Sequence, residues 1–203
     1  MALDVSTNDA AALTDSDLDE LASMDEAFSA GHLSKAKEDW VLITTARFGG
    51  ALHGFAFSTL ERIGGTPCVL IGLMSIKRSS KRDQVLRGLV GEAYHRALMA
   101  FPDEDVVVGS RFVNADGLEA FKDLRDVTPS PGSNAVGEER AWGRRLAKRF
   151  GVDAKYDAKT FVAASGGSDG YLDHECAKPD KLDPAVVEMF DAVPVSKGGV
   201  MVV

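Results

Sequence analysis

The sequence predicts a single α/β (α+β) domain that spans residues 1–203. The chain has 203 residues and 45% hydrophobic content, which is enough to bury one substantial core. Residues 40–76 hold three consecutive segments rich in β-forming residues. Asp83–Met99 then repeats apolar residues at intervals of three and four. Strands that follow one another and lead into an amphipathic helix indicate a sheet with a helix packed against it.

The predicted elements begin with a helix. Thr14 is a candidate N-cap with carboxylates in the turn after it, and we expect the helix to run to about Ala30, before Gly31. The segment from Asp4 to Glu26 is rich in carboxylates and contains no Lys or Arg. Such a segment repels nucleic acid, and we interpret it as a solvated helix face. The alternative is that it lines an entrance for a cationic substrate.

Three strands and a long helix follow. Glycine pairs at residues 49–50 and 64–65 predict the turns between the strands, and the unbroken apolar character of the third strand predicts burial on both faces. Pro102 closes the helix. The predicted elements are strands at Trp40–Ala46, Ala51–Leu60 and Cys68–Ile76 and a helix at Asp83–Met99.

The C-terminal part alternates short strands, loops and helices. Thr128–Asn134 and Ser165–Gly170 are loops by composition. The terminal strand either completes the sheet within one chain or is exchanged across a homodimer. The predicted elements are a strand from Val106 to about Asn114, helices at Asp116–Leu124, Glu138–Phe150 and Pro184–Val193, and strands at Thr160–Ala164 and Gly199–Val203.

Several classes of protein are disfavoured by composition. No apolar run reaches the length of a membrane span, and the acidic N-terminus is unlike a secretory signal, so we expect a cytoplasmic protein without a membrane partner. Cys68 and Cys176 lie in such different contexts that we expect two thiols rather than a disulfide. Asp173–Cys176 places four potential metal ligands in a row, but adjacent residues rarely converge on one ion, and we expect no metal.

The most informative segment is Cys68–Pro102, where a strand, a basic loop and a helix follow one another. A strand that enters a helix through a short loop aims backbone N–H groups and the positive end of the helix dipole at whatever lies above the loop. The loop adds four cationic side chains and two hydroxyls. We therefore expect an anionic ligand to bind at Lys77, Arg78, Ser79, Ser80, Lys81 and Arg82.

This order of elements resembles the GNAT superfamily of N-acetyltransferases over roughly Asp39–Leu124. In that family the loop has Gln or Arg, two residues, Gly, one residue, Gly or Ala, and a leucine three residues later. Arg78 and Leu86 match the first and last positions, while Lys81 and Asp83 stand where glycines are usual. Each of those two residues adds a β-carbon that restricts the approach of a phosphate to the backbone.

The resemblance implies a fold, a reaction and a site. The implied fold is a mixed, mostly antiparallel central sheet flanked by helices, with a helical insertion before the last strands. The implied reaction transfers an acetyl or other acyl group from coenzyme A to an amine on a small molecule or peptide. The residues implied to bind acyl-coenzyme A are Leu73, Ser75, Arg78, Ser79, Ser80, Lys81, Arg82, Asp83 and Asn114.

Direct attack by an amine requires a base and a group that polarises the thioester carbonyl. A backbone N–H near Leu73 and Met74 is the implied polarising group. For the base, Glu61, His53 and Glu104 are the candidates, of which we select Glu61. His53 lies in an otherwise apolar strand, which favours a structural histidine with satisfied hydrogen bonds. Phe121 falls where the family has a tyrosine that protonates the departing thiolate, and phenylalanine has no proton to donate.

Two further functions are compatible with the sequence. The missing loop glycines and Phe121 also fit a protein with the GNAT fold that binds a ligand or partner without catalysis. A nucleic-acid contact through the basic loop and Arg144–Arg149 is the third hypothesis. The net charge of −8 and the scarcity of aromatic residues near these stretches argue against it, so we expect no nucleic-acid partner.

Overall fold

The computed structural model describes residues 2–24, 28–118, 121–165 and 182–203. The chain divides into unit 1, Met1–Val108, and unit 2, Gly109–Val203. One sheet has the strand order β1 (Leu3–Asp9), β2 (Leu42–Phe48), β3 (Ala51–Ile63), β4 (Thr66–Ile76), β5 (Val107–Gly109). The other has the order β6 (Arg111–Phe112), β9 (Val200–Val202), β8 (Val162–Ala163), β7 (Tyr156–Asp157). Among the described helices, none combines the length and apolar character needed to cross a membrane.

Unit 1 contains the predicted strand meander and the predicted long helix. The β1–β2, β2–β3 and β3–β4 pairs are all antiparallel, so the predicted α/β class with a mostly antiparallel sheet is confirmed. The third predicted strand, β4, is buried along its whole length after Thr66, also as predicted. The elements are β1 Leu3–Asp9, α1 Asp15–Ser23, α2 Ala30–Asp39, β2 Leu42–Phe48, β3 Ala51–Ile63, β4 Thr66–Ile76, α3 Arg82–Ala100 and β5 Val107–Gly109.

The first helix begins where the sequence predicts but ends earlier. Thr14 and Asp17 form a capping box, in which each side chain accepts a hydrogen bond from the other's backbone N–H. The predicted continuation to Ala30 is wrong, because α1 ends at Ser23. A second helix, α2, is capped by Ser29, whose Oγ accepts a hydrogen bond from the His32 N–H at 3.2 Å. Gly31 lies inside α2 rather than ending a helix.

The strand β1 was not predicted, and part of the acidic N-terminal segment is therefore not a helix face. β1 pairs with β2 from Leu3 opposite Phe48 to Asp9 opposite Leu42. Its alternate residues are half-buried and exposed, as expected of an edge strand with one face on a core. Leu3 and Val5 approach α3 closely, since a Cβ at Gly88 would lie 3.0 and 3.1 Å from their methyl groups.

Helix α3 lies directly on the sheet at Gly54 of β3. A Cβ at this position would be 2.6 Å from Cγ1 of Val85 and 3.2 Å from Cδ1 of Leu89, both on α3. It would also lie 3.1 Å from the backbone oxygen of Ser75 on β4. Only glycine permits this approach, which brings the first turns of α3 against the end of the β3–β4 hairpin.

Two β-bulges interrupt the ladders of the sheet. Ala46 pairs with Gly54 and Arg47 with Leu52, so His53 is the extra residue on β3. In the next ladder, Phe57 pairs with Leu73 and Ser58 with Ile71, so Gly72 is the extra residue on β4. The Trp40 ring covers the second bulge, because a Cβ at Gly72 would lie 2.0 Å from its Cε2 atom.

Unit 2 differs from the prediction in three places. The strand expected over Val106–Asn114 divides into β5 and β6, which belong to different sheets. The helix expected over Asp116–Leu124 is the short α4, and β7 was not predicted. The elements of unit 2 are β6 Arg111–Phe112, α4 Ala115–Leu118, α5 Gly137–Arg149, β7 Tyr156–Asp157, β8 Val162–Ala163, α6 Pro184–Phe190 and β9 Val200–Val202.

The last strand, β9, is the centre of unit 2. It pairs with β6 through Phe112 and Met201 and with β8 through Val162 and Met201, so the terminal segment forms a strand, as predicted. Val200–Val202 is buried throughout. Gly166–Gly170 of the predicted glycine-rich loop and the whole of Asp173–Cys176 lie outside the described residues.

We predict that Gly54→Ala destabilises the protein. The added methyl group must displace Val85, Leu89 or the backbone of Ser75, and overpacking of this kind costs about 1–3 kcal/mol. The control is Gly91→Ala on α3, where a Cβ meets nothing within 4 Å and alanine favours the helix. Urea unfolding followed by circular dichroism measures both variants. The packing account is wrong if Gly54→Ala is as stable as Gly91→Ala.

Candidate functional site

The basic loop, Lys77–Lys81, connects β4 to α3 and has a defined backbone. The Lys77 N–H donates to the carbonyl oxygen of His53 at 2.9 Å, which extends the β3–β4 ladder into the loop. The Lys81 N–H donates to Oγ of Ser79 at 3.2 Å, and the Arg82 N–H donates to the Ser79 carbonyl at 3.1 Å. Ser79 therefore shapes the turn that leads into α3.

The start of α3 is electropositive and open to solvent. Lys81 is the N-cap residue, and its side chain makes no capping hydrogen bond. Lys77, Arg78, Ser79 and Ser80 are all exposed. Since the N-terminus of a helix carries a partial positive charge, the exposed cations and the helix dipole act in the same direction. The exposed cations and the start of the helix lie together, and their binding of an anion stays a prediction.

Lys81, which occupies a glycine position of the family motif, makes a specific contact. Its Nζ atom lies 3.9 Å from the centre of the Phe48 ring on β2. A cation over an aromatic face at this distance gains about 0.5–1 kcal/mol in an exposed setting. The contact holds the ammonium group at the end of the sheet beside the basic loop.

Arg82 and Asp83 do not extend the exposed cationic surface. The Arg82 side chain is only 7% exposed, and its Nη1 donates to Oδ1 of Asp83 at 2.7 Å. Asp83 is exposed and lies in the first turn of α3. Lys77 and Arg78 of the basic loop are therefore exposed, whereas Arg82, the first residue of α3, is buried and bonded to Asp83.

Leu73 and Ser75 lie on β4 between the bulge and the basic loop. Leu73 is 1% exposed and follows Gly72 directly, so its backbone is part of the bulge. A bulge disrupts the ladder locally and often lies next to an active site. Ser75 is fully buried, and its Oγ has no hydrogen-bond partner among the described residues. Glycine inside an apolar strand is the sequence signal of this bulge.

His53 lies on β3 beside the basic loop, in the other bulge. Its ring meets Phe48 edge-on, with ring centres 5.0 Å apart. Nδ1 is buried and has no hydrogen-bond partner within the described part of the chain, so the expectation of a satisfied histidine is wrong for this atom. Burial, together with the charges of Lys81 and Lys77, lowers the pKa of His53 below its usual value.

The other two candidate bases lie elsewhere in unit 1. Glu61 pairs with Cys68 in the β3–β4 ladder, near the turn of the hairpin. It is three residues beyond Ser58 at the bulge, which is ~10 Å along a strand. Glu104 accepts two hydrogen bonds from Arg62, and these bonds hold the pKa of Glu104 below its usual value. A carboxylate with a lowered pKa is a weaker base.

Asn114 and Phe121 belong to unit 2. Oδ1 of Asn114 accepts a hydrogen bond from the Gly117 N–H at 3.1 Å, which caps α4. Phe121 is buried against Phe112, with ring centres 5.3 Å apart. The asparagine therefore has a structural role in addition to its predicted role in binding. Phe121 adds apolar packing and no acid.

A cavity of about 400 Å³ lies in unit 2 beside α4 and α6. Its size is that of a site for a small organic molecule. The wall of the cavity is mostly apolar and includes Phe121, while Lys122, Asp126 and Asp183 supply charges. Asp183 also caps α6, since its Oδ1 accepts a hydrogen bond from the Ala185 N–H. Among the described residues there is no cluster of His, Cys, Asp and Glu that suits a metal ion.

The order of elements in unit 1 is β1, α1, α2, β2, β3, β4, α3, β5, with a bulge in β4 and the basic loop before α3. Its mostly antiparallel sheet flanked by helices is consistent with the GNAT fold. This is the strand, loop and helix order that the resemblance to the GNAT superfamily implied. The sheet and its flanking helices agree with the predicted fold class.

Comparison with solved structures finds N-acetyltransferases. A ribosomal-protein-alanine N-acetyltransferase from Brucella melitensis biovar Abortus 2308 has a TM-score of 0.45 and 15% identity, covering 67% of this chain and 99% of that chain. An aminoglycoside N-acetyltransferase in complex with CoA has a TM-score of 0.39 and 16% identity, covering 53% and 76%. An aminoglycoside acetyltransferase from an uncultured soil metagenomic sample, in complex with sisomicin, has a TM-score of 0.41 and 18% identity, covering 66% and 93%. No protein-family model matches the chain, and no curated protein matches it.

We predict that Arg82 stabilises the fold whereas Arg78 does not. Arg82→Ala removes a buried guanidinium and its bond to Asp83, which lowers the free energy of unfolding by about 1–3 kcal/mol. Arg78→Ala removes an exposed cation, and we expect a smaller loss because this change leaves no buried group unpaired. Urea denaturation of both variants checks the difference. Equal losses of stability would contradict the separation of the two arginines.

Proposed function

We propose that this protein is an acyl-CoA-dependent N-acyltransferase that transfers an acetyl or other acyl group to an amine by direct attack. The observation that carries the proposal is the basic loop at the uncapped start of α3, which follows a bulge earlier in β4. Together they offer a polyphosphate site and a disturbed strand backbone within one strand–loop–helix segment.

The loop suits the pyrophosphate of coenzyme A. Lys77 and Arg78 are exposed, and Lys81 is held beside them by Phe48. The first turn of α3 adds the positive end of its dipole. Lys81 thus brings a positive charge to a position where the family motif has a glycine. In this proposal Arg78 and Lys81 bind the phosphates, Ser79 and Ser80 add hydroxyl donors, and Arg82 and Asp83 fix the first turn of the helix.

The chemistry needs one bond formed and one broken. The amine nitrogen attacks the thioester carbonyl carbon, the new C–N bond forms, and the C–S bond breaks to release the thiolate. A backbone N–H at Leu73, in the β4 bulge, stabilises the negative charge that develops on the carbonyl oxygen. The acceptor amine is bound along the β3–β4 hairpin, and Glu61 takes the proton from its attacking nitrogen. Since Phe121 cannot donate a proton, water protonates the thiolate.

We propose a small-molecule or peptide amine as the acceptor. Such an amine is protonated at neutral pH, so a base must take its proton before the nitrogen attacks.

A second candidate function is supported by Phe121. A buried phenylalanine at the position of the family's acid suits a GNAT-fold protein that binds a ligand or partner without turnover. In both candidate functions a ligand binds at the basic loop. Only the acyltransferase releases the free thiol of coenzyme A.

We predict that coenzyme A and acetyl-coenzyme A bind and that Arg78→Ala weakens binding about 10-fold or more, because one charge-assisted contact to phosphate is lost. Isothermal titration calorimetry measures the affinity. The control is Arg96→Ala, which removes the same charge from the C-terminal half of α3. A thiol-release assay over a panel of primary amines then tests turnover.

Two outcomes would contradict the proposal. If the wild-type protein does not bind either nucleotide at millimolar concentration, the basic loop is not a coenzyme A site. If Arg78→Ala and Arg96→Ala bind equally well, Arg78 is not a ligand. Binding without thiol release over the whole panel favours the second candidate.

A further inference from the structure

The end of the sheet beside the basic loop contains a group that no step of the proposed reaction uses. His53 is the extra residue of the β3 bulge, and its backbone carbonyl accepts the hydrogen bond of the Lys77 N–H. Its ring contacts Phe48, and the ammonium group of Lys81 lies over the same phenyl ring. One aromatic ring therefore lies in contact with both an imidazole and a cation of the proposed phosphate site.

The free protein disfavours a charged His53. Both ring nitrogens of an imidazolium donate hydrogen bonds, yet Nδ1 is buried and has no acceptor among the described residues. The charges that act on the ring are those of Lys77 and Lys81, and both repel a further positive charge. On β2, Arg47 adjoins Phe48 in sequence, and its guanidinium is bonded to Glu20. Burial and the two lysines together lower the pKa of His53.

An anion at the basic loop reverses this balance. Phosphate oxygens near Lys77 and Lys81 offset the charges that repel the imidazolium. We propose that His53, Phe48 and Lys81 form a proton-linked part of the anion site: His53 gains a proton when a phosphate ligand occupies the basic loop, and the ligand binds more tightly at lower pH. This inference rests on the proposed function only in taking coenzyme A as the ligand, since any polyphosphate at the loop has the same effect.

The sign follows from linkage. The pKa of His53 is low in the free protein and higher in the complex, so the complex binds more protons between these two values. Affinity is therefore highest below the free-state value and falls as the pH rises through the value of the complex. Each unit by which binding raises the pKa changes the affinity tenfold across that range.

The first experiment is an NMR titration of the histidine ring protons, with the His53 signal assigned by its loss in His53→Gln. We expect saturating coenzyme A to raise the pKa of His53. In Lys81→Ala, we expect a higher value in the free protein and a smaller rise on binding. The matched control is Lys35→Ala on α2, whose charge does not act on His53.

The second experiment measures proton uptake on binding, by calorimetry in two buffers of different ionisation enthalpy. A cationic site makes phosphate groups release protons, so the comparison of wild type with His53→Gln isolates the uptake by the imidazole. We expect uptake in the wild type to exceed that in His53→Gln near pH 6. Equal uptake in the two proteins overturns the inference.

A parallel arm with inorganic pyrophosphate separates the inference from the proposed function. If coenzyme A does not bind but pyrophosphate binds and raises the pKa of His53, the proposed function fails and the proton link stands. If coenzyme A binds and the pKa of His53 moves by less than about 0.2 unit, the link fails and the proposed function stands. If neither ligand affects His53, the inference is wrong.

Discussion

The candidate site depends on the close contact between α3 and β3 at Gly54. Val85 and Leu89 of α3 occupy the space that any larger residue at position 54 would need. This contact fixes how far α3 is from the sheet, and hence where its first turn and the basic loop begin. The hydrogen bond from Lys77 to His53 fixes the loop from the strand side. The direction of the helix dipole and the placement of Lys81 over Phe48 both follow from this pair of constraints.

The cations of the basic loop and of the first turn of α3 differ in their surroundings. Arg82 is directed into the protein and bonded to Asp83, whereas Lys77 and Arg78 are in solvent. Lys81 lies between these extremes, because Phe48 holds it by an interaction that leaves its charge uncancelled. A sequence motif treats these cations as equivalent. The structure shows that their environments differ, because Arg82 is buried whereas Lys77 and Arg78 are exposed.

Local signals in the sequence were sufficient for much of unit 1. Thr14 predicts the start of α1 because the capping box is formed within four residues, and the glycine pairs predict the hairpin turns. β1 was not predicted because an edge strand needs few apolar residues, and its polar ones resemble a solvated helix face. Gly72 signals a bulge, but Trp40, which covers it, is remote in sequence. Lys81 and Phe48, which are also in contact, are likewise distant in sequence. The sequence alone therefore could not predict the different surroundings of the individual cations.

The bulge at Gly72 is separable from the rest of the β3–β4 ladder. Ile71 pairs with Ser58, and Leu73 pairs with Phe57, the residue just before Ser58 on β3. A chain lacking residue 72 would retain every other pair of the β3–β4 ladder and keep each side chain on its present face, since neighbours along a strand alternate. The strand would simply lose its local distortion and the recess that Trp40 occupies. Deletion of Gly72 thus separates the pairing that the sheet needs in order to fold from the local distortion that the bulge adds.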